Sequence, residues 1–135
     1  MLRRTFLATL PLLAVPSLLS ARTLNYKPGL VKERLAAGET VFVGFQADWC
    51  TTCRAQERTI RALKAANPAY EENITFVRVD WDEFGRASLA RTLRIPRRST
   101  LVVLRGDQEL GRNVANASPR AIGNLMDIAL SAAQS

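Results

Sequence analysis

The chain has 135 residues, 19 Lys plus Arg against 12 Asp plus Glu, two cysteines and no histidine. That length suits one domain with a single core. The basic excess invites a nucleic-acid reading, but the arginines are scattered and no Lys/Arg-rich run is interleaved with aromatics, so a solvated basic surface explains it and nucleic acid is not an expected partner.

Residues 1–21 read as an export signal rather than as part of the fold. Arg3 and Arg4 form a charged start, Phe6 to Leu19 a short apolar stretch, and Ser20-Ala21 supplies small residues for cleavage. Pro11 and Pro16 interrupt the apolar stretch, which is shorter than the ~20 residues of a membrane helix. An uncleaved anchor facing the periplasm is the rival. Arg3-Arg4-Thr5-Phe6-Leu7 also fits the twin-arginine export pattern, and the ordinary route stays equally open. Either route leads to an oxidising compartment, the periplasm in a bacterium, where a disulfide persists. Residues 22–135 then form the one domain, without stable membrane insertion once the signal is removed.

Pro28 to Ala37 is the first expected helix, opened by Pro28 and ended by Gly38. Val41 to Phe45 reads as a buried strand. Thr51 to Ala66 is a helix with Cys53, Ile60 and Leu63 near one face, stopped by Asn67-Pro68. Ile74 to Val79 is a second strand, followed by an acidic turn at Asp80-Trp81-Asp82-Glu83, and Phe84 to Leu93 a short helix. Thr100 to Leu104 and Glu109 to Val114 make a hairpin around Arg105-Gly106-Asp107-Gln108. Ser118 caps a last helix with Pro119 first and Ile122, Leu125, Met126 and Ala129 facing inward. Strands that alternate with helices and then pair as a hairpin imply an α/β fold, a mixed sheet with helices on both faces.

The chemistry lies in Cys50-Thr51-Thr52-Cys53, preceded by Trp49. A strand that ends in Cys-x-x-Cys and opens into a helix aims unpaired N–H groups and a positive dipole end at the first sulfur. The thiolate so favoured is the nucleophile of disulfide exchange, and the second cysteine can attack back. Three plainer readings compete. Zinc needs four ligands, and one copy offers two cysteines and no histidine. A structural disulfide would close too small a loop to constrain the unfolded chain. Two inert buried thiols fit poorly with export.

With Ala47-Asp48-Trp49-Cys50-Thr51-Thr52-Cys53 after the first strong strand, this order of elements resembles the thioredoxin family over the whole mature chain. Gly44 to Cys50 and Cys53-Arg54-Ala55-Gln56-Glu57 are most similar to the C-terminal thioredoxin-like domain of DsbD-type membrane disulfide reductases. The resemblance implies a three-layer thioredoxin-like fold of four to five strands. It makes Cys50 the exposed nucleophile, Cys53 the recessed resolving thiol, Trp49 a shield and Glu57 an acid that tunes the thiols, with no cofactor or metal beyond the cysteine pair.

Two positions depart from the family. Its buried aspartate six residues before the first cysteine is Gly44 here, which passes that role to Glu57 or loses it. Its cis-proline before a strand is matched by Ile95-Pro96, but Arg97-Arg98-Ser99 intervenes before Thr100, so either Pro96 or Ser99 holds that place. Pro96 is favoured, because cis bonds are essentially a proline phenomenon. Ile95, Pro96, Arg97 and Ser99 are then expected to bind extended substrate chains.

The expected activity is periplasmic thiol–disulfide exchange that reduces protein disulfides, recharged by an upstream thiol donor, in a monomer. The family's strong oxidants carry a histidine between the cysteines, and Thr51-Thr52 offers only neutral hydroxyls. A specialised reductant for cytochrome c or metal-centre assembly is the alternative, without the characteristic insert of such proteins. A redox-inactive binding module on the same scaffold would be expected to lose a cysteine, and both are present.

Overall fold

Thr40–Gln46 is buried along its entire length, as a strand covered on both faces must be. This strand, β2, is the centre of the sheet in the computed structural model, which describes residues 23–135; the export-signal reading of residues 1–21 lies outside them. On one side β2 pairs in parallel with β3, Thr75–Asp80, which in turn takes the short strand β1, Leu24–Asn25. On the other side it pairs antiparallel with β4, Thr100–Arg105, and β4 with β5, Gln108–Val114. The five strands therefore run in the order β1-β3-β2-β4-β5, a mixed sheet.

Alternation along β2 divides the core into two layers. Phe42 faces a cluster with Phe76, Leu101 and Val103 that is covered by α2 (Thr51–Ala66), α3 (Ala69–Asn73) and α6 (Pro119–Ala133) through Ile60, Tyr70, Ile122 and Met126. Val41, Val43 and Phe45 face the other way. There Val77, Val102 and Leu104 pack under Leu30 and Val31 of α1 (Leu30–Ala36) and Ala90 of α5 (Ser88–Thr92), with α4 (Trp81–Phe84) at the end. Helices on both faces of a mixed sheet give the three-layer α/β architecture expected. Among the described residues no helix is long and apolar enough to cross a membrane.

Three local expectations differ. The first helix starts at Leu30, because Gly29 sits at φ +89°, outside the helical region, and leaves Pro28 in a turn. Phe84 to Leu93 is not one helix. The Asp80 carboxylate caps the N–H of Asp82 and starts α4 within the supposed acidic turn, and extended Ala87 (ψ 167°) separates it from α5. The chain between Asn67-Pro68 and Ile74, outside every expected element, forms α3, with the Asn67 side chain accepting the N–H of Ala69.

Helix α3 is tied to α6 by the Tyr70 hydroxyl, which donates to the Asp127 carboxylate. That hydrogen bond, helped by burial and by the negative charge of Asp127, pushes the Tyr70 pKa up to about 12. The native state therefore keeps a proton that an unfolded tyrosine gives up near ~10. The stabilisation is whole below pH ~10 and is lost as pH rises through about 12. Denaturant unfolding across this range should show wild-type stability falling between those limits, and Tyr70→Phe should remove that component of the fall.

Candidate functional site

At the end of β2 the chain turns through Ala47-Asp48-Trp49, with the Cys50 N–H on Ala47 O at 3.1 Å, and enters α2. Cys50 is the N-cap of this 16-residue helix, and its Sγ accepts the N–H of Cys53 at 3.2 Å. The first sulfur thus takes the place of a capping oxygen, where the unpaired N–H groups and the dipole favour an anion. Cys50 and Cys53 are joined as a disulfide. The expected contrast between an exposed and a recessed cysteine is absent, since Cys50 is 2% and Cys53 1% exposed. What separates them is the helix: Cys50 caps it and Cys53 lies within its first turn.

The wall opposite the disulfide corrects the preference for Pro96. The described residues contain no cis peptide bond, and Pro96 is exposed in a trans linkage. Ser99 faces the sulfurs instead, its Oγ 3.1 Å from both Cys50 Sγ and Cys53 Sγ. Register is the cause: Thr100 pairs with Phe45 at the end of β2, so the residue just before it must lie beside the Cys-x-x-Cys turn. The Ser99 N–H donates to Phe45 O at 2.7 Å. Ile95 is half-buried against the α1 side of the core, and Arg97 is exposed. Of Ile95, Pro96, Arg97 and Ser99, Ser99 is the one that touches the sulfurs.

Trp49 is 55% exposed beside the disulfide. Its indole N–H donates to Asp82 Oδ2 at 2.9 Å, and the Arg98 guanidinium lies 4.3 Å from its ring centre. Glu57, one turn beyond Cys53, meets Arg78 Nε at 3.5 Å. Arg78 also donates to Gln46 Oε1 at 3.0 Å and to Asp48 Oδ1 at 2.7 Å. Glu57, Arg78 and Gln46 border a cavity of about 250 Å³ that reaches Gly44. At Gly44 a Cβ would sit 3.0 Å from Gln46 Nε2, so the Gln46 amide occupies the room that a side chain at position 44 would use. Among the described residues no group of three or more Cys, His, Asp or Glu could hold a metal ion.

Gln56 escaped the sequence reading. It is fully buried, and its Nε2 donates to Ser99 O at 3.0 Å and Asn116 O at 3.2 Å. The signal was present: Cys53, Gln56, Ile60 and Leu63 share one helical stripe, and a polar residue on an apolar stripe asks for buried partners. Arg78 and Asp82 carried no such mark, because their partners come from distant segments. Gln56→Leu should cost about 1–3 kcal/mol of stability, the usual consequence of removing a donor from buried acceptors. Urea unfolding would check it.

Residues 23–127 match the thioredoxin family. Thioredoxin H2-1 of Oryza sativa subsp. japonica is 34% identical over 74 residues, 55% of this chain and 49% of that protein, so the chain spans about half the length of this curated relative. Among solved structures, Trxlp from Edwardsiella tarda is 30% identical with a TM-score of 0.67, covering 78% of this chain and 98% of that one. Oxidised thioredoxin from Plasmodium falciparum, at 19% identity and a TM-score of 0.64, covers 78% and 96% and speaks for the fold alone. With the Cys-x-x-Cys pair capping the helix after the central strand and the match running through nearly all described residues, the chain belongs to the thioredoxin family.

Proposed function

We propose that this protein is a thiol–disulfide oxidoreductase that reduces disulfides on other proteins in the periplasm. The observation that carries the reading is the Cys50 sulfur at the N-cap of α2, accepting the Cys53 N–H within disulfide distance of Cys53. In the reduced protein the Cys50 thiolate attacks a substrate disulfide and forms a mixed disulfide, and one substrate sulfur leaves and takes a proton from solvent. Cys53 then loses its proton to solvent and attacks Cys50 Sγ. The second substrate sulfur departs with the electron pair of the broken bond. The substrate gains two electrons, the dithiol becomes a disulfide, and an upstream thiol donor must restore it.

The redox group is the cysteine pair itself. Glu57 and Arg78 set the charge near Cys53, with Glu57 as the acid that tunes the thiols. Arg97 and Arg98 add positive charge to the segment before β4, which favours acidic partner surfaces. The neutral Thr51-Thr52 pair supports a reductase rather than a strong oxidant. The run from Gly44 to Cys50 supports kinship with the C-terminal domain of DsbD-type reductases, and the pattern of residues 1–21 supports export with cleavage of that segment.

A reduction potential measured against glutathione should lie nearer the roughly −270 mV of thioredoxin than the roughly −120 mV of a strong oxidant. A value near the latter reverses the direction of electron flow. Cys53→Ser should trap substrate proteins as mixed disulfides through Cys50, and the double serine variant should trap none. Material from the periplasmic fraction should begin near Arg22; a chain that starts at Met1 and sediments with membranes argues for the anchored form.

A further inference from the structure

Ser99 is pinned on both sides of its backbone. Its N–H is held by Phe45 O at 2.7 Å, and its carbonyl accepts the Ala115 N–H at 2.8 Å and Gln56 Nε2 at 3.0 Å. The residue is fully buried, at φ +63°. That backbone is best served by glycine, and serine is not among the residues favoured there. Proline cannot adopt it, because its ring holds φ near −65°. The backbone therefore does not explain the serine, which leaves the side chain. Its hydroxyl stands 3.1 Å from each sulfur.

The remaining polar surroundings are engaged elsewhere. Asp48 pairs with Arg78, and Arg54 donates to Asp48 O. Glu57 meets Arg78, Asp82 holds the Trp49 indole, and Arg98 lies on the Trp49 ring. Trp81, which packs on the two cysteines from α4, brings no charge. Among the described residues, Cys50 Sγ has two hydrogen-bonding neighbours, the Cys53 N–H and the Ser99 hydroxyl, while Cys53 Sγ has the Ser99 hydroxyl alone.

We propose that the Ser99 hydroxyl is a catalytic group of the dithiol, donating to the Cys50 thiolate in the resting reduced protein and turning to the Cys53 sulfur once Cys50 is held in a mixed disulfide. This rests on the redox reading of the cysteine pair and adds a group that a cis-proline would not supply. In the second step Cys53 must become a thiolate while buried, which its surroundings oppose. A hydroxyl that turns on its Cβ stabilises that anion without moving the backbone. No electrons pass through Ser99: the pair that forms the Cys50–Cys53 bond comes from Cys53, its proton goes to solvent, and the substrate sulfur leaves with the pair from the broken bond.

Ser99→Gly removes the hydroxyl and keeps a backbone free to hold positive φ. Ser99→Ala removes it and keeps the backbone strain that the serine already bears, and urea midpoints establish that each variant is folded. Thiolate absorbance of the reduced protein against pH should show the Cys50 midpoint raised by about one unit, the tenfold change expected from losing a charge-assisted hydrogen bond. With the chromogenic disulfide dithiobis(nitrobenzoate), the first release reports attack by Cys50 and the second reports resolution by Cys53. The second release should slow about tenfold at neutral pH. A folded variant with the wild-type value for either quantity overturns the proposal. These readouts need no protein substrate, so failure of wild-type protein to reduce protein disulfides would count against the proposed function and not against Ser99.

Discussion

The site depends on one residue being held still at the entrance to β4. Ser99 joins β2 through Phe45, α2 through Gln56 and the loop before α6 through Ala115, and presents its hydroxyl to the two sulfurs. Two of its anchors are themselves constrained. Ala115 lies at φ +58°, another left-handed position occupied by a residue with a Cβ, and Gln56 is fully buried with Oε1 unpartnered. Such features cost free energy locally and persist only where neighbours over-determine them. Both lie within hydrogen-bond reach of Ser99, so the strain is concentrated where the sulfurs must be faced by a fixed group.

The second constraint is the missing acid on β2. With glycine at position 44, the strand has no carboxylate of its own there, and the Gln46 amide folds over the gap. Charge is instead gathered from three other segments, Glu57 on α2, Arg78 on β3 and Asp48 on the active-site turn. Arg78 is shared among Glu57, Asp48 and Gln46, and a guanidinium with its planar fork of donors can serve all three while lysine would not. The negative charge is thereby moved from the sheet to a half-buried helix position one turn beyond Cys53.

How far this was legible in the sequence follows from the range of each interaction. Strands β2 to β5, the long helices and the place of the cysteine pair are set by local pattern: alternation, helical stripes, Gly106 in the hairpin and the Ser118 cap. The split of α4 from α5 was hidden because it turns on a side-chain cap by Asp80 and one extended residue, Ala87. The site was legible at Cys50 and Cys53, whose roles are written in spacing. It was misread at Pro96, since the residue that meets the disulfide is chosen by the pairing of Thr100 with Phe45, and register between strands 55 residues apart in sequence is not a local property.

The same register explains why arginines surround the mouth of the site. Between the end of α5 and Ser99 the chain must travel from the α1 face to the disulfide, and it does so with a left-handed residue at each end, Arg94 at φ +52° and Ser99 at φ +63°. Between them Ile95 stays against the core, while Pro96 and Arg97 lie in solvent and Arg98 against Trp49. Arg98 gains a cation–π contact of about 0.5–2 kcal/mol. Asp82 holds the edge of the same indole, its carboxylate taking the N–H at 2.9 Å. Arg98 contributes its charge at the rim of the disulfide, and it stands there because β4 begins where it does.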